Sequence, residues 1–172
     1  MAAECCQVGP GRRAGNGQSC PRSGTRGRSV GLITLKALLL PSSLARLHPG
    51  REYRFCPDPE CPVVYFAEGS TFLVSSLNRS VYQKDRSADA PVCYCFGYSR
   101  SDLRESLDEL GRSPVPGIVA EHVRAGRCAC EVTNPQGRCC LGNVAAELGE
   151  RRPAAQVARP GAAAAVRSAE AP

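Results

Sequence analysis

The chain has 172 residues and a net charge of +6, and only 5% of its residues are aromatic, with no tryptophan. This length fits one domain or two very small ones, with a modest core of the kind that metals often supplement. The excess arginines are scattered among Gly, Ala and Pro rather than interleaved with aromatic residues, which argues against a nucleic-acid partner. No apolar run reaches the roughly 18 residues that a membrane span requires, so no membrane partner is expected.

The first half of the chain predicts a short arm followed by a small β-containing unit. Residues 1–19 are rich in Gly, Arg and Ser without apolar periodicity, which predicts a disordered arm. Residues 20–24 resemble one knuckle of a zinc ribbon in which Ser23 replaces the second cysteine. Residues 32–40 predict a short helix or strand that ends at Pro41. Three prolines in residues 57–62 then predict a tight loop.

The loop carries Cys56 and Cys61. After it, the spacing of the apolar residues changes to one that is typical of strands. Residues 63–66 and 71–74 are β-branched and aromatic with a glycine turn between them, which predicts a hairpin. A third strand is predicted at residues 80–83. The hairpin pattern therefore indicates a small antiparallel sheet beside the two thiols.

The second half of the chain predicts helices. Ser and Asp residues at 99–102 offer N-caps for a helix that ends at Gly111, and Ser113-Pro114 opens a second helix that ends at Gly126. A last helix is predicted from Cys140 to about residue 149. The Ala/Pro/Arg-rich residues 151–172 predict a disordered tail.

Cysteines are the chemically informative residues of the chain, which has 11 of them. Six form two Cys-x-Cys pairs and one Cys-Cys pair, and a helical hairpin between the first pair and the others can bring them together. Gathered thiolates bind soft metals or iron–sulfur clusters. Six thiols exceed the four ligands of a [2Fe–2S] cluster, so the surplus can complete a tetrahedral zinc site on the proline-rich loop. The six are Cys93, Cys95, Cys128, Cys130, Cys139 and Cys140.

Further ligands and the compartment follow from the same reasoning. Asp58 or His48 can supply a non-sulfur ligand to zinc. The N-terminus shows no export signal, which predicts a reducing, cytoplasmic location where cysteine clusters favour metal over disulfides. No nucleophile–base set is visible, so no enzyme is expected beyond one-electron reduction of a metal.

Residues 53–66, 91–97 and 126–142 together resemble the N-terminal metal-binding domain of CopZ-type copper chaperones, over about residues 20–149. The resemblance implies an α+β unit. It further implies that a β-containing zinc subdomain (20–90) packs on a helical [2Fe–2S] subdomain (91–150) similar to bacterioferritin-associated ferredoxin.

The resemblance also implies the ligands and the function. Cluster ligands by this correspondence are Cys93, Cys95, Cys128 and Cys140, with Cys139 as the alternative to Cys140. Zinc ligands are Cys56, Cys61 and Cys130, with Cys20 or Asp58 as the fourth. The implied role is electron transfer or redox sensing in copper or metal homeostasis, with a redox or copper-handling protein as partner. The alternative is a structural zinc-binding interaction module without redox activity. The chain contains no Cys-x-x-Cys motif, so direct copper delivery in the manner of that family is in question.

Overall fold

The computed structural model describes residues 18–149. The predicted tail and most of the predicted arm, including Cys5 and Cys6, lie outside them. Within this range, no helix combines the length and the apolar character needed to cross a membrane. Sequence analysis predicted an α+β unit, and mixed helix and sheet is what the structure shows.

A four-stranded antiparallel sheet forms the centre of the first half. The hairpin predicted from the β-branched residues is confirmed, and the chain turns at Gly69, whose φ of +63° favours glycine. The strands Arg28–Ser29 and Arg54–Phe55 were missed, because two-residue strands are too short to show a period. In spatial order the strands are β1 (Arg28–Ser29), β2 (Arg54–Phe55), β3 (Val63–Ala67) and β4 (Ser70–Leu73).

Two short helices, α1 (Leu32–Leu38) and α2 (Pro41–Leu44), accompany this sheet. Residues of α1 join the buried aromatic residues of the strands in one hydrophobic core. The third strand predicted at residues 80–83 does not form. The carbonyl of Val81 accepts the N–H groups of both Lys84 and Asp85, which closes a turn there instead.

The second half is helical with one small hairpin. Ser99 caps its first helix by accepting the N–H of Asp102, and the helix ends at left-handed Gly111, as predicted. The one-turn α5 was not predicted. The elements are β5 (Pro91–Cys93), β6 (Tyr98–Ser99), α3 (Arg100–Leu110), α4 (Val115–Arg124), α5 (Cys130–Thr133) and α6 (Leu141–Glu147).

This half has its own hydrophobic core, in which Cys93 and Cys140 lie among apolar side chains of β5, α3, α4 and α6. Thiols at these positions are therefore fixed by the packing of the core. The boundaries predicted at residues 90 and 150, and the likeness of this half to bacterioferritin-associated ferredoxin, stay predictions.

The segment around α5 joins the two halves. The Thr34 hydroxyl on α1 donates to the carbonyl of Glu131 on α5. The buried Tyr65 hydroxyl on β3 donates to the carbonyl of Pro135 over 2.9 Å. At Gly137 a Cβ atom would lie 2.8 Å from a methyl carbon of Val30, and φ is +64°, so this contact requires glycine. Residues 130–137 are thus positioned by the first half of the chain.

A glutamate with a buried side chain lies at the end of α6. The side chain of Glu147 is 7% exposed; it pairs with Arg100, which is 13% exposed, and with Arg104 over 3.0 Å. It also accepts the hydroxyl of Tyr82 over 3.2 Å. The Arg100 guanidinium in turn lies over the Tyr82 ring, 4.3 Å from its centroid. These contacts connect α6 to α3 and to the turn at Val81–Asp85, which contains Tyr82.

We expect Glu147→Gln to be strongly destabilising. It leaves the buried Arg100 without a counter-charge, and breaking a buried pair in this way costs about 3–5 kcal/mol. The matched control is Glu121→Gln, which breaks the pair with Arg127 on the surface and should cost at most about 1 kcal/mol. Denaturant midpoints of the two variants measure the difference. Equal midpoints would show that the Arg100 pair contributes no more than a surface pair.

Candidate metal centres

Three cysteines meet at one edge of the sheet. Cys20 precedes β1, Cys56 follows β2, and Cys61 precedes β3. The strands run antiparallel, with Arg28 opposite Phe55 and Phe55 opposite Tyr65. The start of β1, the end of β2 and the start of β3 therefore lie side by side. Pairing of the strands therefore brings Cys20 close to Cys56, which lies 36 positions later in the sequence.

The geometry of this first group suits one metal ion. All three Sγ atoms lie within 4.8 Å of one another, and all three residues are buried. Cys20 Sγ and Cys61 Sγ are 3.8 Å apart. Tetrahedral zinc with Zn–S bonds of about 2.3 Å holds its sulfurs about 3.8 Å apart. The spacing therefore fits zinc thiolate coordination.

Local hydrogen bonds favour the thiolate at Cys20. Burial opposes its ionisation, but the backbone N–H and hydroxyl of Ser23 outweigh burial and lower its pKa to about 7. The knuckle is closed by hydrogen bonds from Cys20 N to Thr25 O and from Gly24 N to Cys20 O, each of 2.8 Å. Ser23 Oγ also lies 3.5 Å from Cys56 Sγ. The serine in the place of a second knuckle cysteine thus contacts both thiols. Burial raises the pKa of Cys56.

Lys84 supplies positive charge behind the loop that carries Cys56 and Cys61. Its ammonium donates to the carbonyl oxygens of Asp58 over 2.7 Å and of Cys61 over 2.8 Å. Burial lowers the pKa of Lys84, and the neighbouring thiolates counteract this shift. The lysine both fixes the loop and offsets part of the negative charge of the thiolates.

Asp58 has other partners. Its carboxylate accepts the N–H of Glu60 over 3.0 Å and the hydroxyl of Thr25 over 3.4 Å. Among the described residues, neither Asp58 nor His48 joins the group of three sulfurs. Of the two residues predicted as a fourth ligand, Cys20 is the one that the structure places in the group.

A second group of cysteines forms in the helical half, where sulfurs meet in two close pairs. Cys140 Sγ lies 3.1 Å from Cys93 Sγ, and Cys95 Sγ lies 3.6 Å from Cys130 Sγ. Cys130 also forms hydrogen bonds with the thiol and the backbone N–H of Cys140, which link the two pairs. The predicted hairpin of helices therefore does bring the first Cys-x-Cys pair to the later cysteines.

Hydrogen bonds prepare part of this second group for ionisation. Contact with the Cys140 thiol lowers the pKa of Cys130 to about 6 and the pKa of Cys93 to about 7. The Cys140 thiol donates to Cys93, and its contacts with Cys130 and Cys93 raise its own pKa. Burial raises the pKa of Cys95, whose sulfur accepts the N–H of Ala129 over 3.3 Å. Contacts among these thiols therefore lower the pKa of some members of the group and raise that of others.

The remaining two cysteines of this region, Cys128 and Cys139, are not buried. Cys128 is half-buried and Cys139 is exposed, whereas Cys130 and Cys140 are 5% and 1% exposed. The Cys128 thiol still contacts Cys130, and its pKa is raised first by burial and then by the charges of Cys130 and Cys139. The structure therefore places Cys140 rather than Cys139 inside.

Cys130 and Cys128 lie differently from what the sequence predicted. Cys130 was assigned to zinc, but its sulfur lies against Cys95 and Cys140 instead of Cys56 and Cys61. Cys128 was assigned to the cluster; it is half-buried, as Cys95 is, and its thiol contacts Cys130 rather than completing a close pair of sulfurs. The reason is α5, which begins at Cys130 and is held against α1, so that the second cysteine of the pair turns inward.

The two groups also differ in how closely their sulfur atoms lie together. Within residues 18–149, only the first group has three ligand atoms mutually within 4.8 Å. Four sulfurs in two pairs, too spread for any three to meet around one point, suit a centre larger than a single ion. A [2Fe–2S] cluster has four cysteine ligands, two on each iron.

Comparison with known proteins identifies the class of domain. The family model described as a zinc binding domain, of the CopZ type, matches residues 17–78. The copper chaperone CopZ of Archaeoglobus fulgidus is 33% identical over 122 residues, which cover 70% of this chain and 57% of that protein. The chain thus spans little more than half the length of this curated relative. The solved structure of the CopZ N-terminal domain from the same organism matches with a TM-score of 0.63 at 32% identity, covering 76% of this chain and 97% of that one.

The fold and the cysteine groups define a metal-binding domain of the kind found in copper chaperones. The chain belongs to the family of CopZ-type N-terminal domains. The resemblance predicted from residues 53–66, 91–97 and 126–142 is thereby confirmed.

Proposed function

We propose that this chain carries a zinc ion and a [2Fe–2S] cluster and serves as a one-electron carrier for metal handling. The observation that carries the proposal is the division of the cysteines into two buried groups of different shape. The compact group of Cys20, Cys56 and Cys61 suits zinc. The paired group in the helical half suits a cluster of two irons.

For the zinc site, the donor set fits the ion. Zinc is a borderline-soft ion that readily takes thiolate ligands, and structural zinc is almost always four-coordinate. The fourth ligand is proposed to come from outside the three sulfurs, with Asp58, on the same loop, as the protein candidate. Zinc here supplies folding energy rather than chemistry, because the three cysteines tie three strand ends together.

For the cluster site, four thiols fit the ligand count of a two-iron cluster. We propose Cys93, Cys95, Cys130 and Cys140, so that Cys130 takes the place predicted for Cys128. A bound [2Fe–2S] cluster supplies one-electron chemistry. The chain's own part is to hold the sulfurs of Cys93 and Cys140 in a core of apolar side chains, in which Val92, Leu103 and Val144 are fully buried. Burial and hydrogen bonds to sulfur are the protein's means of setting the potential.

The role in metal handling rests on the relatives. The matching relative from Archaeoglobus fulgidus is named as a copper chaperone, and copper passes between Cu(I) and Cu(II) by one electron. The proposed partner is a redox or copper-handling protein, in the cytoplasm. The second candidate, a structural zinc module without redox activity, is favoured by the zinc binding description of the matching family model.

Metal analysis of anaerobically purified chain tests the proposal. We expect about two irons and two sulfides per chain from one cluster, together with one zinc ion. Reduction by dithionite should give the EPR signal of a one-electron-reduced two-iron centre. Zinc without iron or sulfide, in a colourless protein, would favour the structural module instead.

A further inference from the structure

A cleft of about 480 Å³ lies where the proline-rich loop of the first half meets α3 of the second. Prolines of the loop and a tyrosine supply its apolar surface, and three arginines supply its charge. Among the described residues, every charged residue that lines the cleft is an arginine, so the cleft attracts negative charge. Its lining includes Pro57, Pro59, Tyr82, Arg86, Arg100 and Arg104.

Two of the arginines share a single counter-charge. Arg100 is held in place, because it is 13% exposed, pairs with Glu147, and donates to the carbonyl oxygens of Tyr82 and Asp85. Arg104 pairs with the same Glu147 but is 61% exposed. One carboxylate thus faces two guanidinium groups, which leaves positive charge at this end of the cleft.

The third arginine, Arg86, has a counter-charge that is easily replaced. Its partner is Glu60, and the two side chains are 76% and 78% exposed. Pairs this exposed to water contribute little, so a carboxylate of another protein can take the place of Glu60. Arg86 and Arg104 therefore offer two accessible guanidinium groups, which bind carboxylates with two parallel hydrogen bonds.

Tyr82 connects the cleft to the proposed cluster site. Its ring packs against the hydrophobic core in which Cys93 and Cys140 lie. Its backbone N–H donates over 2.8 Å to the hydroxyl of Tyr94, the residue between Cys93 and Cys95 in the sequence. A protein seated in the cleft is therefore next to the core that holds proposed cluster ligands.

We propose that this cleft is the docking site for an acidic segment of the redox partner. The inference rests on the proposed function, because docking beside this core serves electron transfer only if the core holds the cluster. A protein segment is favoured over a small anion, since the available charge lies on exposed side chains of an open cleft. The net charge of +6 also steers an acidic protein toward the chain. Electron-transfer interfaces are small, so one cleft is a sufficient anchor.

Fluorescence anisotropy with a labelled oligoglutamate peptide tests the cleft on the metal-loaded chain. In about 0.1 M salt, where charges more than about 10 Å apart are largely screened, Arg86→Gln with Arg104→Gln should weaken binding at least about fivefold, because two exposed ion pairs are lost. The matched control is Arg112→Gln with Arg124→Gln, which removes the same charge from exposed arginines outside the cleft. It should weaken binding less than about twofold.

Arg86→Gln alone guards against a misfolded double variant, because it changes only a surface pair. It should weaken binding at least about twofold. Equal weakening by the cleft and control variants would overturn the docking site. So would a metal-loaded wild-type chain that does not bind the peptide.

Stopped-flow oxidation of the dithionite-reduced chain relates the cleft to the cluster. One electron passes from the reduced cluster to ferricyanide, an anionic acceptor, and yields ferrocyanide. The cleft double variant should be oxidised at least about threefold more slowly than the control double variant. Oxidation by hexaammineruthenium(III), a cationic acceptor, should not be slowed. Equal ferricyanide rates in the two double variants would overturn the cleft as the redox docking site.

Iron content separates this inference from the proposed function. A wild-type chain without iron would overturn the one-electron role, whereas the peptide measurement would still decide whether the cleft receives acidic segments. A chain with iron whose peptide binding ignores Arg86 and Arg104 would overturn the docking site alone. The two proposals therefore fail separately.

Discussion

Cys56→Ser should empty the zinc site and unfold the first half of the chain. Cys56 is fully buried between two other cysteines, and its loss leaves two thiols that cannot hold the ion alone. Binding of structural zinc contributes about 10–16 kcal/mol to folding in small zinc domains, so losing the ion should cost several kcal/mol here. Zinc content by elemental analysis and the thermal midpoint measure both effects.

Cys139→Ser is the matched control, because it removes an exposed thiol outside the zinc group. Its zinc content and midpoint should equal those of the wild type. A Cys56→Ser protein that kept its zinc, or that lost iron while keeping zinc, would show that the ligands are divided otherwise than proposed.

Cys130→Ser should bleach the protein, whereas Cys128→Ser should leave it coloured. The two cysteines are separated by one residue, but Cys130 is 5% exposed and contacts Cys95 and Cys140, while Cys128 is only half-buried. Loss of a residue that only hydrogen-bonds to a metal ligand costs about 10–100-fold in metal affinity, so loss of the ligand itself should cost more. Iron content and visible absorption of anaerobic samples give the answer.

The pair of variants is its own control, since both make the same chemical change two residues apart. Bleaching by Cys128→Ser with colour retained in Cys130→Ser would restore the assignment made from the sequence resemblance. Zinc should stay bound in both, and loss of zinc from Cys130→Ser would support the other part of that assignment, in which Cys130 serves zinc.

Much of the fold follows from local patterns in the sequence. The hairpin at residues 63–73 is specified by β-branched residues around a glycine turn, and α3 by its Ser99 cap and Gly111 stop. These signals act over a few residues, so they can be read without knowing the tertiary structure. The family could be identified as well, because three long motifs surround the cysteines.

The membership of the two cysteine groups could not be predicted in the same way. Cys20 joins the first group only because β1 pairs with β2, and these strands are two residues long. Cys130 rather than Cys128 turns inward because α5 packs against α1, almost a hundred residues away in the sequence. Both outcomes depend on contacts between remote segments, which spacing within a motif does not encode.

The contact of α5 with α1 bears on how the protein matures in the cell. Thr34 and Tyr65 anchor the segment that carries Cys130, and both belong to the half that zinc holds together. Without the zinc ion, the segment that carries Cys130 would therefore lose part of its support, and the site proposed for the [2Fe–2S] cluster would be incomplete. We expect zinc to be inserted first, so that the supply of one metal governs the loading of the other.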